Sequence, residues 1–596
     1  VFESSGSVND YDDSVWHMAD VLGGSGNVGG KISSMSVWSK PLKKYEIQNL
    51  MSESPNHFDP SLMASWRFTA GDGDILYDHS GNGNHGVISG AVWSDQIPYQ
   101  GPWYVSTQGS DDNEGSQNAP FRTIQRAINS GGNHGEIIVE PGTYIEKLNA
   151  NHKSFMLRSS SINQSNHDDI GHINADVIIE GNYDGSILNL VEGSYHFEGV
   201  TIRNGRSDQG GGINVSGAEL MLINCLIESN QSAGAGSNGA GIFAKNTSLS
   251  IYRSSIINNN ATNENGDPGS GGGIYLIADE HESSLSMDSS MVSNNNATGD
   301  SGGGIRLISN NNNPFHATIN NSIFSNNSTT TNGGALFTSG LDNMEIYEST
   351  FENNSAGVDG GGLLAEDGYV NISDSYFFGN SAGDTGGGLR FFNGVQEIQN
   401  SVISNNHANV EGGGIKFTGS SPNINFCTIA NNSSSVCAGG IVAVYDQVNI
   451  RNSIIYGNDV GSLCTIQGGS FDVSYSNIEG GFEGESNIDS DPLFCDSNGN
   501  DFSLAQNSSS ISAGEFGSHM GALGIGCSEV YVNNSAFFDG SSYVEIQNSE
   551  DFLPQNLSVS AWIKLNTMGD FQVVSKYDAS NGKSWNLCVE QSSARP

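Results

Sequence analysis

The chain has 596 residues, of which 22 are Lys or Arg and 65 are Asp or Glu, so its formal net charge is −43. Such an acidic chain repels polyanions, which excludes DNA and RNA as partners. With 78 Gly, 36% apolar residues and only 15% charged residues, the composition excludes a disordered chain and favours a turn-rich, multi-domain protein.

Residues 1–55 end in "KISSMSVWSKPLKKYEIQNLM", a strand pattern followed by a short amphipathic helix pattern. This ending resembles the closing segment of a LamG-like, concanavalin A-like jelly roll, with Trp38 on the last strand and residues 41–50 in the helix. The resemblance predicts that this region is the C-terminal end of one β-sandwich.

Residues 56–98 resemble the opening strands of another LamG-like jelly roll, through a strand with Trp66 and Phe68 and a Gly- and Asn-rich turn at residues 78–86. The carboxylate of Asp78 in that turn has two interpretations. It is a ligand of Ca²⁺, or it is an ordinary turn acceptor, because Asp, Asn and Gly make tight turns.

Residues 99–528 are the predicted solenoid, and a helix is expected at its entrance. Ile124, Ala127 and Ile128 share one helical face, and Pro120 suits a first helical turn. We predict a capping helix near residues 120–129 that covers the unpaired edges of the first coil.

The solenoid itself is indicated by a repeat in which an apolar residue closes a run of Gly. Successive closing residues lie 26 to 32 positions apart, and they are Ile213, Ile242, Ile274, Ile305, Leu336, Leu363, Leu389, Ile415 and Ile441. A repeat of this length indicates stacked units, and the alternating segments between the Gly runs are strand-like. The sequence therefore predicts an all-β fold, a right-handed parallel β-helix with three short strands in each coil.

Each coil also carries an Asn three positions after an apolar residue. Because Asn tolerates left-handed turns and its amide can bond the amide of the next coil, we predict a structural ladder rather than a ligand site. Its members are Asn230, Asn260, Asn295, Asn327, Asn354, Asn380, Asn406, Asn432 and Asn458.

Two resemblances follow from these elements. The entrance resembles the amino-terminal cap of pectin-lyase-like β-helix proteins, and the "GGGL" and "FENN" elements resemble the repeats of chlamydial polymorphic outer-membrane proteins. Both imply a large secreted or bacterial cell-surface protein, and the first also implies polysaccharide lyases and hydrolases among its relatives.

Residues 529–596 contain "FFDGSSYVEIQ" and "LSVSAWIK", which resemble the continuation of the jelly roll that opens at residues 56–98. We expect one split sandwich with the β-helix inserted in it, so that Trp66 or Phe68 contacts Phe538, Val544 or Trp562. The alternative is two separate sandwiches, because nine coils at about 4.8 Å hold the ends of a solenoid roughly 40 Å apart.

Few basic residues are expected on the outside of the coils, and within the repeats they are Arg306, Arg390 and Lys416. Arg390 and Lys416 follow the closing residues of adjacent coils, so they should project outward about 5 Å apart, beside Phe391 and Phe417. They form either a strip that binds sugar rings and carboxylates or solvated charges above rings stacked in the core.

Three acids, Asp359, Asp384 and Glu411, precede successive Gly runs and suit a Ca²⁺ site. Asp384 and Glu411 are also, with Arg390 and Lys416, the catalytic candidates of a lyase or glycosidase, which needs acid and base groups. Each acid is equally an ordinary turn residue. No cofactor is predicted to be required, and Ca²⁺ is the one optional ion considered.

The seven Cys match no metal-binding spacing, but Cys437 and Cys464 lie 27 residues apart, about one coil, which predicts a disulfide.

No run of about twenty apolar residues occurs, so we expect no transmembrane segment. The chain begins with Val and ends inside a strand pattern, so we expect both ends to be cuts.

The sequence thus predicts a secreted or cell-surface, adhesin-like protein that binds glycans or other cell-surface proteins. The β-helix is its platform and the jelly rolls are its binding modules. The alternative is a polysaccharide lyase or glycoside hydrolase that acts along a groove of the β-helix. A groove with convergent basic and acidic side chains would favour the enzyme, and a flat face of Asn, Ser and Thr would favour the platform.

Overall fold

The structure is a computed structural model in which two compact units, residues 1–530 and 531–596, are distinguished. In the first unit it describes residues 34–42, 55–57, 59–68, 73–88, 102–131, 134–150, 152–161, 175–234, 236–262 and 269–530. In the second it describes the backbone of two antiparallel strands, Phe571–Tyr577 and Ser584–Val589. Residues 43–50 of the predicted helix and the predicted partners Phe538, Val544 and Trp562 lie outside the described residues.

Parallel strands stacked coil upon coil make up most of the first unit. One side of every coil contributes to a sheet of thirteen strands. They are Gly142–Ile145, Val177–Glu180, Val200–Arg203, Leu226–Glu228, Ser255–Ile257, Met291–Ser293, Ile323–Ser325, Thr350–Glu352, Tyr376–Phe378, Val402–Ser404, Thr428–Ala430, Ile454–Tyr456 and Asn477–Ile478.

The opposite side is a larger sheet to which most coils contribute two strands. In most coils the first strand follows the Gly run. The first strands are Leu148–Asn149, Ile242–Lys245, Ile274–Ala278, Ile305–Ser309, Leu336–Ser339, Leu363–Glu366, Leu389–Phe392, Ile415–Thr418, Ile441–Val444 and Leu463–Ile466. The second strands of these coils, in the same order, are Phe155–Ser159, Ser248–Tyr252, Ser283–Asp288, Phe315–Asn320, Asn343–Tyr347, Tyr369–Ser373, Val395–Gln399, Ser421–Asn425, Gln447–Arg451 and Ser470–Ser474. Two long strands, Leu188–Glu198 and Ile213–Ile223, serve both positions, and Trp103–Val105 and Gly135–Val139 begin the sheet.

A short eight-stranded sheet closes many of the coils: Arg206–Ser207, Gln231–Ser232, Asn260–Ala261, Asn296–Ala297, Ser328–Thr329, Ser355–Ala356, Ser381–Ala382 and His407–Ala408. Those coils therefore contain four strand segments rather than the predicted three. The additional segment arises because the Ser-Ala or Asn-Ala pair after the ladder Asn extends far enough to pair with the next coil.

Inward residues of all coils form one continuous apolar core. The closing residues of the Gly runs, such as Leu363 and Leu389, are fully buried, as period-2 alternation of half-buried strands requires. Phe324, Phe351 and Phe377 stack above one another with ring centroids 4.5 Å apart, close to the spacing of neighbouring strands.

The structure contains the predicted Asn ladder, with one correction. From Asn230 to Asn432, each side-chain amide of the ladder donates to the Oδ1 atom of the Asn in the next coil, as Asn354 does to Asn380 at 2.9 Å. After Asn230, however, the ladder passes through Asn259, which is fully buried, and not through Asn260, which begins a short strand. Both Asn259 and Asn260 have an Ile three positions earlier, so the spacing rule did not distinguish them.

A second polar column runs through the next turn of each coil. The Oγ atom of Ser375 accepts a hydrogen bond from the backbone of Ser349, and Ser401 does the same for Ser375. Cys225 and Cys427 occupy the Ser position in two coils, where both thiols are fully buried. Among the described Cys, these two are therefore free thiols with a packing role.

The Gly runs let adjacent coils approach closely. Gly386, first in its run, has φ +67°, which favours Gly. A Cβ atom on Gly388 would lie 2.7 Å from the carbonyl oxygen of Gly414 in the next coil, so a larger residue would push the coils apart.

The entrance helix spans Ile124–Ser130 and begins four residues later than predicted. Thr123 is its N-cap, and its Oγ1 accepts from the amide of Arg126, so Pro120 and Phe121 precede the helix. As expected, Ile124, Ala127 and Ile128 are its buried residues.

Strands Ser34–Trp38 and Leu62–Arg67 pair as an antiparallel two-stranded sheet, so segments assigned to two jelly rolls meet here. Ile75–Leu76 and Gly86–Val87 form another small hairpin. Ala64, Trp66 and Leu76 form a small core of their own. The single split sandwich remains a prediction.

After the last coil, the chain turns back over the thirteen-stranded sheet. A three-stranded sheet of Phe494–Asp496, Asp501–Ala505 and Ile525–Cys527 includes a disulfide between Cys495 and Cys527. Two short 3-10 helices, Ser497–Gly499 and Glu515–Gly517, complete this segment. It packs on Val402, Ala430 and Ile454, which come from three successive coils.

Candidate functional site

One outward column of the large sheet contains the basic candidates. Strand register places Phe243, Tyr275, Arg306, Phe337, Leu364, Arg390, Lys416 and Val442 next to one another in successive coils. We call these residues the outward column. Each of them directly follows the apolar residue that closes a Gly run, which is why the column faces away from the core.

Arg390 and Lys416 are adjacent in the register, as the sequence predicts. Arg390, however, is only 3% exposed, because its guanidinium donates to Phe391 O at 2.8 Å and Thr418 Oγ1 at 3.0 Å, and lies 3.5 Å above the ring of Phe392. Burial lowers the pKa of Arg390 to about 10, against the opposing effect of acids nearby. The Lys416 ammonium pairs with Glu411 at 2.8 Å. Neither group is presented to a ligand.

For Phe391 and Phe417 the structure distinguishes between the two interpretations, a sugar-binding strip and rings stacked in the core. Both rings are fully buried and stack on each other inside the coils, with centroids 5.3 Å apart. In a β-strand, successive side chains point to opposite faces, so a residue beside an outward Arg or Lys points inward. These rings are core residues and not a surface for sugars.

The three acids Asp359, Asp384 and Glu411 do not form one column. The Asp359 carboxylate accepts two hydrogen bonds from Thr385, at 3.0 Å and 2.7 Å, and Thr385 in turn is bridged to Glu411. Asp384 directly precedes Thr385 and is exposed, and its backbone N–H donates to Val358 O. The position between Asp359 and Glu411 is therefore occupied by Thr385 and not by Asp384, so the three acids do not converge on one Ca²⁺ site.

Asp78 is the fourth candidate Ca²⁺ ligand, with an ordinary turn acceptor as the alternative interpretation. Its two carboxylate oxygens accept hydrogen bonds from Ser65 N, Ser80 N, Ser80 Oγ and Asn84 N, at 2.8 to 2.9 Å. The carboxylate holds the turn together. Across the part of the chain that the structure describes, no three His, Cys, Asp or Glu side chains lie close enough to bind one metal ion.

The predicted pair Cys437 and Cys464 forms a disulfide across neighbouring coils, with Cα atoms 5.9 Å apart. Cys437 lies just before the Gly run of its coil, and Cys464 follows Val442 in the outward column. The second disulfide, Cys495–Cys527, was not predicted, because its residues lie outside the repeat.

The second strands of the large sheet present a flat polar face. Glu345, Asn371, Glu397, Asn423 and Asn449 are in register, and neighbouring amides and carboxylates bond along the column, as Asn423 does to Glu397 at 2.8 Å. This column combines Asn with Glu and contains no basic side chain, so it lacks the convergent basic and acidic groups expected of an enzyme groove.

A cleft of about 550 Å³ lies beside the outward column at Arg306. The Arg306 guanidinium is held between the rings of Tyr275 and Phe337, at 5.3 and 5.5 Å from their centroids. Its Nη1 atom donates to Ser270 Oγ at 2.7 Å and pairs with Asp300 Oδ2 at 2.7 Å. Burial raises the pKa of the Tyr275 hydroxyl, so this group is a neutral donor and acceptor at ordinary pH.

The rim of this cleft is rich in hydroxyl and amide groups from four coils. Its described lining is Gly236, Asn238, Ser270, Tyr275, Thr298, Gly299, Asp300, Arg306, Thr330 and Thr331. Thr331 Oγ1 donates to Gly299 O at 2.7 Å, which ties two of the turns together. Of these lining residues, the sequence predicts only Arg306, as an outward basic residue.

Comparison with known proteins supports the fold. A family model described as "Right handed beta helix region" matches residues 284–447, and one described as "Protein of unknown function (DUF1565)" matches residues 107–158. No curated protein matches the chain. None of the described helices is long and apolar enough to span a membrane.

Solved structures show only distant similarity. Pectate lyase Pel9A is 15% identical, with 71% of this chain and 96% of that chain covered and a TM-score of 0.31. XylC in complex with xylose is 9% identical, with coverages of 66% and 87% and a TM-score of 0.30. A GH136 lacto-N-biosidase from Eubacterium ramulus is 11% identical, with coverages of 65% and 67% and a TM-score of 0.18.

Similarities at this level carry no conclusion about activity. The fold rests instead on the family match and on the parallel register of the coils. The chain forms a right-handed parallel β-helix.

Proposed function

We propose that this protein binds uncharged glycans through the cleft at Arg306, with the β-helix as a rigid platform. The observation that carries the proposal is the arrangement of Arg306 between Tyr275 and Phe337, with Asp300 and Ser270 fixing its orientation. A fixed set of donors and acceptors around a cleft suits sugar hydroxyls, because little conformational entropy is lost on binding.

Charge favours neutral sugars over uronates. Arg306 and Asp300 are the charged residues in the described lining of the cleft, and they already neutralise each other. A uronate would have to compete with Asp300 for the guanidinium, and it would approach a chain with a net charge of −43. Hydroxyl groups, in contrast, can bond to the paired Arg and Asp without breaking the pair.

The same geometry weighs against the lyase and hydrolase alternative. A lyase acting on uronates needs a cation for the carboxylate and a free base, whereas Lys416 pairs with Glu411 and Arg390 is buried. A glycosidase normally needs two carboxyl groups across the scissile bond, and the described lining of the cleft contains one, that of Asp300. Binding is therefore the better-supported function.

The proposed location is the cell exterior, on a bacterial surface or in secreted form. Two disulfides, Cys437–Cys464 and Cys495–Cys527, support an oxidising compartment. In this proposal the chain is adhesin-like, and its LamG-like segments serve as additional binding modules. Other cell-surface proteins are further candidate partners for the flat polar face.

The proposal is tested by screening the whole protein on a glycan array, together with a reducing-sugar assay and an absorbance assay for unsaturated uronate products. We expect binding to uncharged oligosaccharides and no product in either assay. Turnover of any polysaccharide, or binding confined to uronate-containing glycans, would contradict it.

A further inference from the structure

The segment that carries the first strand pair packs on the outward face of the first coils. Arg67 Nη1 lies 3.7 Å from Glu136 Oε2, and His57 Nε2 lies 3.9 Å from Glu198 Oε1. These contacts join residues far apart in sequence, so they hold the segment on the solenoid. A two-stranded sheet is at best marginally stable alone in water, so its order depends on such contacts.

Glu198 is the unusual member of this interface. Its side chain is 0% exposed, and neither of its carboxylate oxygens has a hydrogen-bond partner. Arg158 occupies the neighbouring position in the register, but it donates to Glu136 at 2.8 Å. A buried ionised carboxylate without donors is strongly unfavourable, whereas a protonated one is far less so.

We propose that Glu198 and His57 form a proton-controlled contact: the strand Leu62–Arg67 stays docked on the first coils while the Glu198 carboxyl is neutral, and it loosens when Glu198 ionises. The ligand of this site is the proton. The proposal does not depend on glycan binding at Arg306, which involves other coils.

The electrostatic surroundings agree with the geometry. Burial raises the pKa of Glu198 to about 7, and Glu136 adds to this while Arg158 opposes it. Burial, followed by Arg67 and Arg158, lowers the pKa of His57, so docking disfavours the charged form of its imidazole.

Three further groups face this interface. His79 lies in the turn after the strand pair, and burial lowers its pKa. His196 lies on the same strand as Glu198, and burial lowers its pKa to about 4. The buried thiol of Cys225 has a raised pKa and stays neutral.

The sign of the effect follows from linkage. The pKa of Glu198 is higher in the docked state, so Glu198 takes up a proton on docking. Its contribution to the free energy of docking is therefore complete below its ordinary pKa of 4.5 and is lost as the pH rises to about 7. The histidines act in the opposite direction, because their lowered pKa values favour docking as the pH rises toward 6.5. Glu198 must therefore be isolated by comparison with a variant that cannot ionise.

The experiment is hydrogen–deuterium exchange of the whole protein and of Glu198→Gln, read at the peptide that contains Leu62–Arg67 and corrected for the intrinsic effect of pH. The ratio of the opening constants of the wild type and the variant should grow about 60-fold between pH 5 and pH 7.5, as expected for a pKa shift from 4.5 to about 7. Gln is similar in size to Glu, so any constant packing effect cancels in the pH dependence.

Glu192→Gln is the matched control, because Glu192 lies on the same strand with its side chain 74% exposed. It should exchange like the wild type at both pH values. Peptides of the Asn ladder should remain protected in all variants, which confirms an intact solenoid. A ratio for Glu198→Gln that does not change between pH 5 and pH 7.5 would overturn the proposal.

Discussion

The side-chain amide of Asn380 donates to Asn406 Oδ1 at 2.9 Å and to Phe351 O at 2.9 Å, while its own Oδ1 accepts the backbone and side-chain N–H groups of Asn354. One fully buried amide thus satisfies polar groups in two neighbouring coils. Because this pattern recurs along the ladder, it holds adjacent coils in register.

Replacing Asn380 with Leu should lower the free energy of unfolding by about 1–3 kcal/mol, because it leaves buried donors of Asn354 without acceptors. Urea unfolding followed by circular dichroism measures the change. Gln399→Leu is a suitable control, because Gln399 is an exposed amide on a strand of the large sheet, and it should have little effect. Equal effects of the two substitutions would contradict the role of the ladder.

The corrected ladder makes a sharper prediction at two adjacent residues. Asn259→Ala should destabilise the chain by about 1–3 kcal/mol, because Asn259 accepts from Asn230 and donates to Asn295. Asn260→Ala should change stability by no more than about 0.5 kcal/mol, as expected for a partly exposed residue. Melting temperatures of the two variants, measured side by side, distinguish them, and the reverse order would restore Asn260 to the ladder.

Removing Cys495 and Cys527 together should cost about 2–4 kcal/mol, because their disulfide closes a loop of 32 residues. Thermal unfolding of the double Ala variant is the measurement. Non-reducing peptide mapping of the wild type should find 437 linked to 464 and 495 linked to 527. Free thiols at these four positions in material exported from cells would contradict the assignment.

Chelation of divalent cations should leave both melting temperature and glycan binding unchanged. The carboxylate of Asp359 is used by Thr385, that of Glu411 by Lys416 and that of Asp78 by its own turn. Calorimetry with EDTA and with added Ca²⁺ checks this directly. An increase of several degrees in melting temperature on adding Ca²⁺ would show that a calcium site exists.

The repeat architecture could be predicted because Gly and Asn recur with the coil and each has one physical role. The exact register of neighbouring coils, to a single residue, could not be predicted. Asn259 and Asn260 satisfy the same spacing rule, and Asp384 rather than Thr385 was placed beside Asp359, because a one-residue shift is invisible until neighbouring strands are paired.

The cleft at Arg306 escaped prediction for a related reason. Its lining residues come from turns of four coils, and these coils are longer than the regular 26-residue ones, so their turns do not align by counting. The longer intervals, 29 to 32 residues in this part of the chain, are the one signal in the sequence that could have indicated it. Tyr275 directly follows Ile274, which closes a Gly run. Comparing the residue after each closing residue from coil to coil would therefore have identified Tyr275 as outward-facing.

Glycan binding at Arg306 can be measured by isothermal titration of the whole protein with an uncharged oligosaccharide, chosen from the array, and with its uronate counterpart. We expect the uncharged sugar to bind at least tenfold more tightly, and we expect Tyr275→Ala to weaken this binding at least tenfold. Tyr369→Ala, which removes an exposed Tyr from the flat polar side of the same sheet, should leave it unchanged. Tighter binding of the uronate, or equal affinities for the wild type and Tyr275→Ala, would contradict glycan binding at Arg306.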